Sequence, residues 1–105
     1  MSKSTEEKIR ESLIEQLDAQ NKHTTYCEDL VNTYMTHWRV KEQLEVDIEE
    51  NGLRVKVTSG NGFETEKPNT SIGDLQKETS IMLQILDKLG LRDPVIQGDA
   101  ADDYL

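Results

Sequence analysis

Two histidines and one cysteine carry the metal-ligand and nucleophile chemistry available to this chain besides its carboxylates. His23 and Cys27 stand four apart, a spacing that puts two ligands on one face of a helix. Two ligands do not close a site, and His23 precedes the point where the helical pattern starts. A metal-dependent enzyme would have to add His37. A Cys-His nucleophile pair lacks the third group that orients the base. The plainer reading is a partly exposed histidine and a packed thiol. The carboxylates come as runs, Glu6-Glu7, Glu28-Asp29, Asp47 with Glu49-Glu50, and Asp102-Asp103, and such runs form solvated helix faces. Ser59-Gly60-Asn61-Gly62 lacks the G-K-[ST] continuation and the strand-to-helix setting of a phosphate loop. Asn69-Thr70-Ser71 matches a glycosylation sequon that an intracellular protein leaves unused. The expectation is a protein that is not an enzyme, with no metal and no cofactor.

The cationic side chains are few but placed. Net charge is −9, with 12 acidic against 6 basic residues in 1–52 and four acidic residues with no basic one in 93–105. An acidic chain is a poor general binder of polyanions, so contact with nucleic acid needs a local patch. The least acidic stretch, residues 53–68, has three basic and two acidic side chains. There Arg54 and Lys56 alternate on the polar side of a strand, with Lys67 on the return; Arg39 and Lys41 interrupt the middle of the preceding helix. One copy of this set is ordinary surface charge. Repeated around a symmetric assembly, phosphate contacts add.

The elements that hold these residues are legible from periodicity and turn chemistry. Ser4 and Glu7 form a capping box for a first helix bearing Ile9, Leu13, Ile14 and Leu17 and ending near residue 20. Thr25 and Glu28 form a second box. From it Cys27, Leu30, Tyr34, Lys41, Leu44 and Ile48 follow a heptad-like seam, with Trp38 beside it and Val31 and Met35 on a second ridge. Asn51-Gly52 supplies a left-handed stop. Leu53, Val55 and Val57 alternate with Arg54, Lys56 and Thr58, the period of a strand. Ser59-Gly60-Asn61-Gly62 contains the Asn-Gly hairpin signal, and the chain returns through Phe63–Lys67 before Pro68. A last helix spans about Ser71 to Leu89, with Leu75, Met82, Leu86 and Leu89 in one stripe and Gly90 at its end.

The fold class is therefore mainly α: helix, long helix, β-hairpin, helix, then an acidic tail. It divides into an N-terminal helix (1–22), an oligomerisation core (23–92) and a C-terminal tail (93–105). Apolar residues make up 34% of the chain, below the roughly 45–50% usual for globular domains. A single copy is thus expected to lack a self-sufficient core. Tyr34, Trp38, Leu44, Ile48, Leu75, Met82 and Leu86 are expected to supply contacts both within and between subunits. The lone Cys27 suits a reducing compartment, and no segment approaches the roughly 20 apolar residues of a membrane span.

The stretch from Tyr26-Cys27 through Leu30-Val31, Tyr34 and Trp38 resembles the small terminase subunits of tailed bacteriophages, in particular the cohesive-end branch. The similarity continues through Gly52-Leu53, Lys67-Pro68-Asn69-Thr70-Ser71 and Leu86-Asp87-Lys88-Leu89-Gly90-Leu91, about two-thirds of the chain. It departs in having Asn69-Thr70 where the family often has Asn-Pro, a later proline at Pro94, and an acidic rather than basic N-terminal segment. The resemblance implies a homo-oligomeric ring in the bacterial host cytoplasm that recognises double-stranded viral DNA and recruits and regulates the large terminase subunit. On this reading Arg39, Lys41, Arg54, Lys56 and Lys67 contact DNA. The tail residues Asp99, Asp102, Asp103, Tyr104 and Leu105 reach the large subunit. The rival expectation is a dimeric helical adaptor that does not bind DNA.

Overall fold

The computed structural model describes residues 3–91. The order is α1 (Thr5–Ala19), α2 (Thr25–Asn51), β1 (Arg54–Thr58), β2 (Glu64–Pro68) and α3 (Thr70–Leu89). The architecture is mainly helical with one two-stranded antiparallel hairpin. The tail residues Asp99, Asp102, Asp103, Tyr104 and Leu105 lie outside the described residues.

Helix ends explain where the elements stop. At α1 the Ser4 hydroxyl accepts from the Glu7 N–H at 3.2 Å and donates to the Glu7 carboxylate at 3.2 Å. Its C-terminus closes with Asn21 in the left-handed region (φ 56°). Lys22 N–H bonds Leu17 O at 2.8 Å and Asn21 N–H bonds Asp18 O at 3.1 Å, the paired pattern of a Schellman motif. The same motif ends α3, with Gly90 at φ 73° and Leu91 N–H on Leu86 O at 2.9 Å. One expectation is corrected at α2. Its cap is Thr24, whose hydroxyl accepts from Cys27 N–H at 3.3 Å. Glu28 is therefore one residue too late to complete a box with Thr24, and it faces His23 and Arg10 instead.

The described residues group into two compact units, one of residues 3–35 with 84–91 and one of Thr36–Leu83. In the first, the buried apolar side chains are Leu17, Val31, Met35, Ile85 and Leu89. Arg10 ties α1 to α2 through Asn32 (3.1 and 3.3 Å) and Glu28 (3.4 Å). In the second, Met82 is buried and Asn69 is a buried polar residue. His37 on α2 bonds Glu78 on α3. Nearer the hairpin, Asp47 accepts from Ser71 Oγ at 2.6 Å, Asn69 Nδ2 at 3.1 Å and Asn51 Nδ2 at 2.8 Å. These donors, Ser71 first, hold the Asp47 carboxyl below its ordinary value. Asn69 N–H also donates to Leu53 O at 2.8 Å, fastening the two ends of the hairpin together.

Of the seven residues expected in the core, Met82 alone is buried in one copy. Tyr34, Trp38, Leu44, Ile48, Leu75 and Leu86 are half-buried. The fully covered ridge of α2 is Val31 and Met35, the secondary ridge in the sequence pattern.

Candidate nucleic-acid and assembly surface

The five candidate DNA contacts all fall in the second compact unit, and the hairpin positions three of them. Its register pairs Arg54 with Pro68, Val55 with Lys67, Lys56 with Glu66, Val57 with Thr65 and Thr58 with Glu64. Side chains alternate across a strand, and directly paired residues share a face. One face therefore carries Arg54, Lys56, Thr58, Glu64 and Glu66. The other carries Val55, Val57, Phe63, Thr65 and Lys67, and Leu53 continues it before β1. Lys67 is thus opposite Val55 and turned away from Arg54 and Lys56, so the three cations are not one patch.

The turn fixes this sidedness. Ser59 N–H bonds Phe63 O at 2.8 Å and Gly62 N–H bonds Ser59 O at 2.9 Å, with Gly62 at φ 83°. This is a three-residue loop ending in a left-handed glycine, not a two-residue Asn-Gly turn, because Asn61 keeps a negative φ.

The two faces differ in chemistry. Phe63 is 70% exposed, Leu53 67% and Val57 37%, so the apolar face is largely uncovered. On the charged face, neither the Arg54 nor the Lys56 side chain has an ion pair or hydrogen bond among the described residues. Lys56 directly faces Glu66, which weakens the local field it can offer. Lys67 and Lys77, also without ion pairs among the described residues, instead line an open groove of about 630 Å³ where β2 meets α3, with Pro68, Ile72, Gly73 and Asp74. Lys77 carried no sequence signal; only the meeting of β2 with the first turns of α3 brings it beside Lys67.

The α2 candidates are placed differently. Lys41 bonds Glu45 at 2.8 Å, lies 3.6 Å from Glu42, and stands 5.8 Å from the Trp38 ring centroid. The Glu45 hydrogen bond, first among these contacts, raises its pKa. Its charge is thus largely used on its own helix. Arg39, next to Trp38 on the same helix, is exposed. The histidines are engaged with carboxylates: His23 with Asp18 and Glu28, His37 with Glu78. Cys27 is a half-buried free thiol. No group of three or more His, Cys, Asp or Glu side chains among the described residues could hold a metal ion.

A family profile described as phage terminase, small subunit, matches residues 7–94, which takes in most of α1, the long helix, the hairpin and α3. The chain belongs to that family. Comparison with curated proteins and with solved structures gives no match. A small terminase subunit works in phage genome packaging, in a family that is generally regulatory and DNA-binding rather than catalytic. For this small terminase subunit, no helix among the described residues is long and apolar enough to cross a membrane. The buried Asn69, capping α3 through the Ser71 N–H at 3.0 Å, has no room for a glycan at its sequon.

Proposed function

We propose that this protein assembles into a homo-oligomeric ring that recognises viral DNA and recruits and regulates the large terminase subunit. The carrying observation is the two-sided hairpin, with uncovered apolar side chains on one face and, on the other, a charged face where Arg54 and Lys56 stand beside Glu64 and Glu66 without an ion pair. A neighbouring copy covers Leu53, Val57 and Phe63, and the half-buried Tyr34, Trp38, Leu44, Ile48, Leu75 and Leu86 complete their burial between subunits. Such a ring needs the segment 23–92 as its core, with 1–22 appended at one end. The acidic segment 93–105, including Asp99, Asp102, Asp103, Tyr104 and Leu105, reaches the large subunit by charge complementarity.

DNA is held at two cationic points per subunit: Arg54 with Lys56, and Lys67 with Lys77. Arg39 adds to them, and Lys41 contributes only when it leaves Glu45. Each engaged phosphate steepens the salt dependence of binding by about 0.9 in log–log slope. Native mass spectrometry tests the assembly, with a ring several times the mass of a dimer. A dimer would overturn the ring in favour of the adaptor reading. Arg54→Glu with Lys56→Glu should weaken DNA binding and flatten the slope by about two per engaged subunit; an unchanged slope removes this pair from the interface.

A further inference from the structure

The cluster Asp18–His23–Glu28 is used by none of this. His23 lies in the connection between α1 and α2, and both of its ring nitrogens are occupied by carboxylates. Nδ1 is 2.7 Å from Asp18 Oδ1 at the end of α1, and Nε2 is 3.1 Å from Glu28 Oε2 in the first turn of α2. A neutral imidazole has a single N–H, and an ionised carboxylate has no proton to give. Both contacts are therefore hydrogen bonds only when the ring is the imidazolium. We propose that Asp18–His23–Glu28 is a proton-operated latch: the charged ring bolts the end of α1 to α2, and loss of its proton frees one of the two carboxylates and loosens α1.

The surroundings support this use. Glu28 is shared with Arg10, which also reaches Asn32, so the latch and the arginine together hold α1 along the first turns of α2. The charged groups acting on the ring are Glu28, then Asp18, and both favour its protonated form. Glu28 is in turn held below its ordinary pKa, chiefly by His23 and then by Arg10. Lys22, also in the connection, points its ammonium toward Gly90 at the end of α3, where a Cβ would come within 2.6 Å of it. It does not compete for either carboxylate.

The sign follows from the raised value. A histidine whose folded pKa lies above its unfolded 6.5 contributes its full stabilisation below that unfolded value, and the contribution is lost as pH rises through the folded one. The latch is shut below the unfolded value of 6.5 and opens as pH rises through the raised folded value. Packing of Leu17, which does not titrate, persists through the change, so α1 loosens without the chain unfolding.

Hydrogen exchange of α1 amides in the full chain tests this, between pH 6 and 9 after correction for intrinsic exchange. Protection in α1 should fall about twofold or more across this range. His37→Gln should retain the fall, because the other histidine is not its source. His23→Gln should abolish it, and His23→Lys, which keeps one cation between the carboxylates, should hold protection to the highest pH. An NMR titration should place His23 above 6.5. A fall that survives in His23→Gln, or a His23 titrating at its ordinary value, overturns the proposal.

Discussion

Asn69 is the residue on which the hairpin and α3 jointly depend, and replacing it gives a sharp test of the fold. It is 5% exposed. Its Oδ1 caps the Ser71 N–H at 3.0 Å, while its Nδ2 donates to Gly52 O at 3.0 Å and to Asp47 Oδ2 at 3.1 Å. Asn69→Ala removes all three bonds. Loss of a helix N-cap costs about 1 kcal/mol, and a partly buried carbonyl left without its donor adds about 1–2 kcal/mol. Asp47 keeps its Ser71 and Asn51 donors, so its share is small. The expected loss is about 2–3 kcal/mol, read by urea denaturation at one fixed subunit concentration, because self-association shifts the midpoint. Asn69→Ser restores the cap but not the amide donors and should recover about 1 kcal/mol. Asn69→Asp also keeps the cap, but it sets a second carboxylate against Asp47; it should be worst at neutral pH and improve as acid protonates one of the pair. A loss below about 0.5 kcal/mol for Asn69→Ala, the range of an ordinary surface change, would refute the reasoning. So would an Asn69→Asp variant indifferent to pH.

Two other outcomes are expected. Leu17→Ala empties a site that is 0% exposed in the first unit, and should destabilise by about 2–5 kcal/mol in the same urea assay. The Asp47 carboxyl is held below its ordinary 3.8, first by Ser71 and then by Asn69 and Asn51. A depressed carboxylate contributes stability above the unfolded pKa and loses it as pH falls through the folded one. The stability gap between wild type and Ser71→Ala should therefore be wide at pH 7 and shrink at pH 3, in paired urea curves.

Element types and ends were largely readable because they rest on local chemistry. Ser4 with Glu7, Asn51-Gly52, and Leu89-Gly90-Leu91 each satisfy backbone groups within a few residues, so a short window contains their cause. The start of α2 slipped by one because Thr24 and Thr25 are both good caps. Their choice is tied to His23 and Arg10 drawing Glu28 away, and Arg10 belongs to another helix. The burial ranking was harder. The heptad-like seam of Tyr34, Leu44 and Ile48 is the more regular pattern, yet Val31 and Met35 are the side chains covered in one copy. Periodicity identifies an apolar face without saying which neighbour covers it. The candidate cations show the same limit. Composition marked residues 53–68 as the least acidic stretch, but strand pairing decides that Lys67 faces away from Arg54 and Lys56, and that Glu66 meets Lys56. Asn69, visible in the sequence only as part of a sequon and of the stretch that carries the family resemblance, has its structural role through contacts with Asp47 and Gly52, at least 17 residues away in sequence.

The glycine-ended loop of the hairpin has a reach beyond its own three residues. A ribbon of two strands shows alternate side chains to opposite directions, so sliding one strand by a single position exchanges what each side displays. Sliding the strands by one residue at Gly60–Gly62 would bring Glu66 or Pro68, according to the direction, opposite Val55 in place of Lys67 and move Phe63 among the charges. The polarity of both broad sides is thus governed from the tip, by backbone geometry at Gly62, in a place that need touch neither a sister molecule nor a nucleotide.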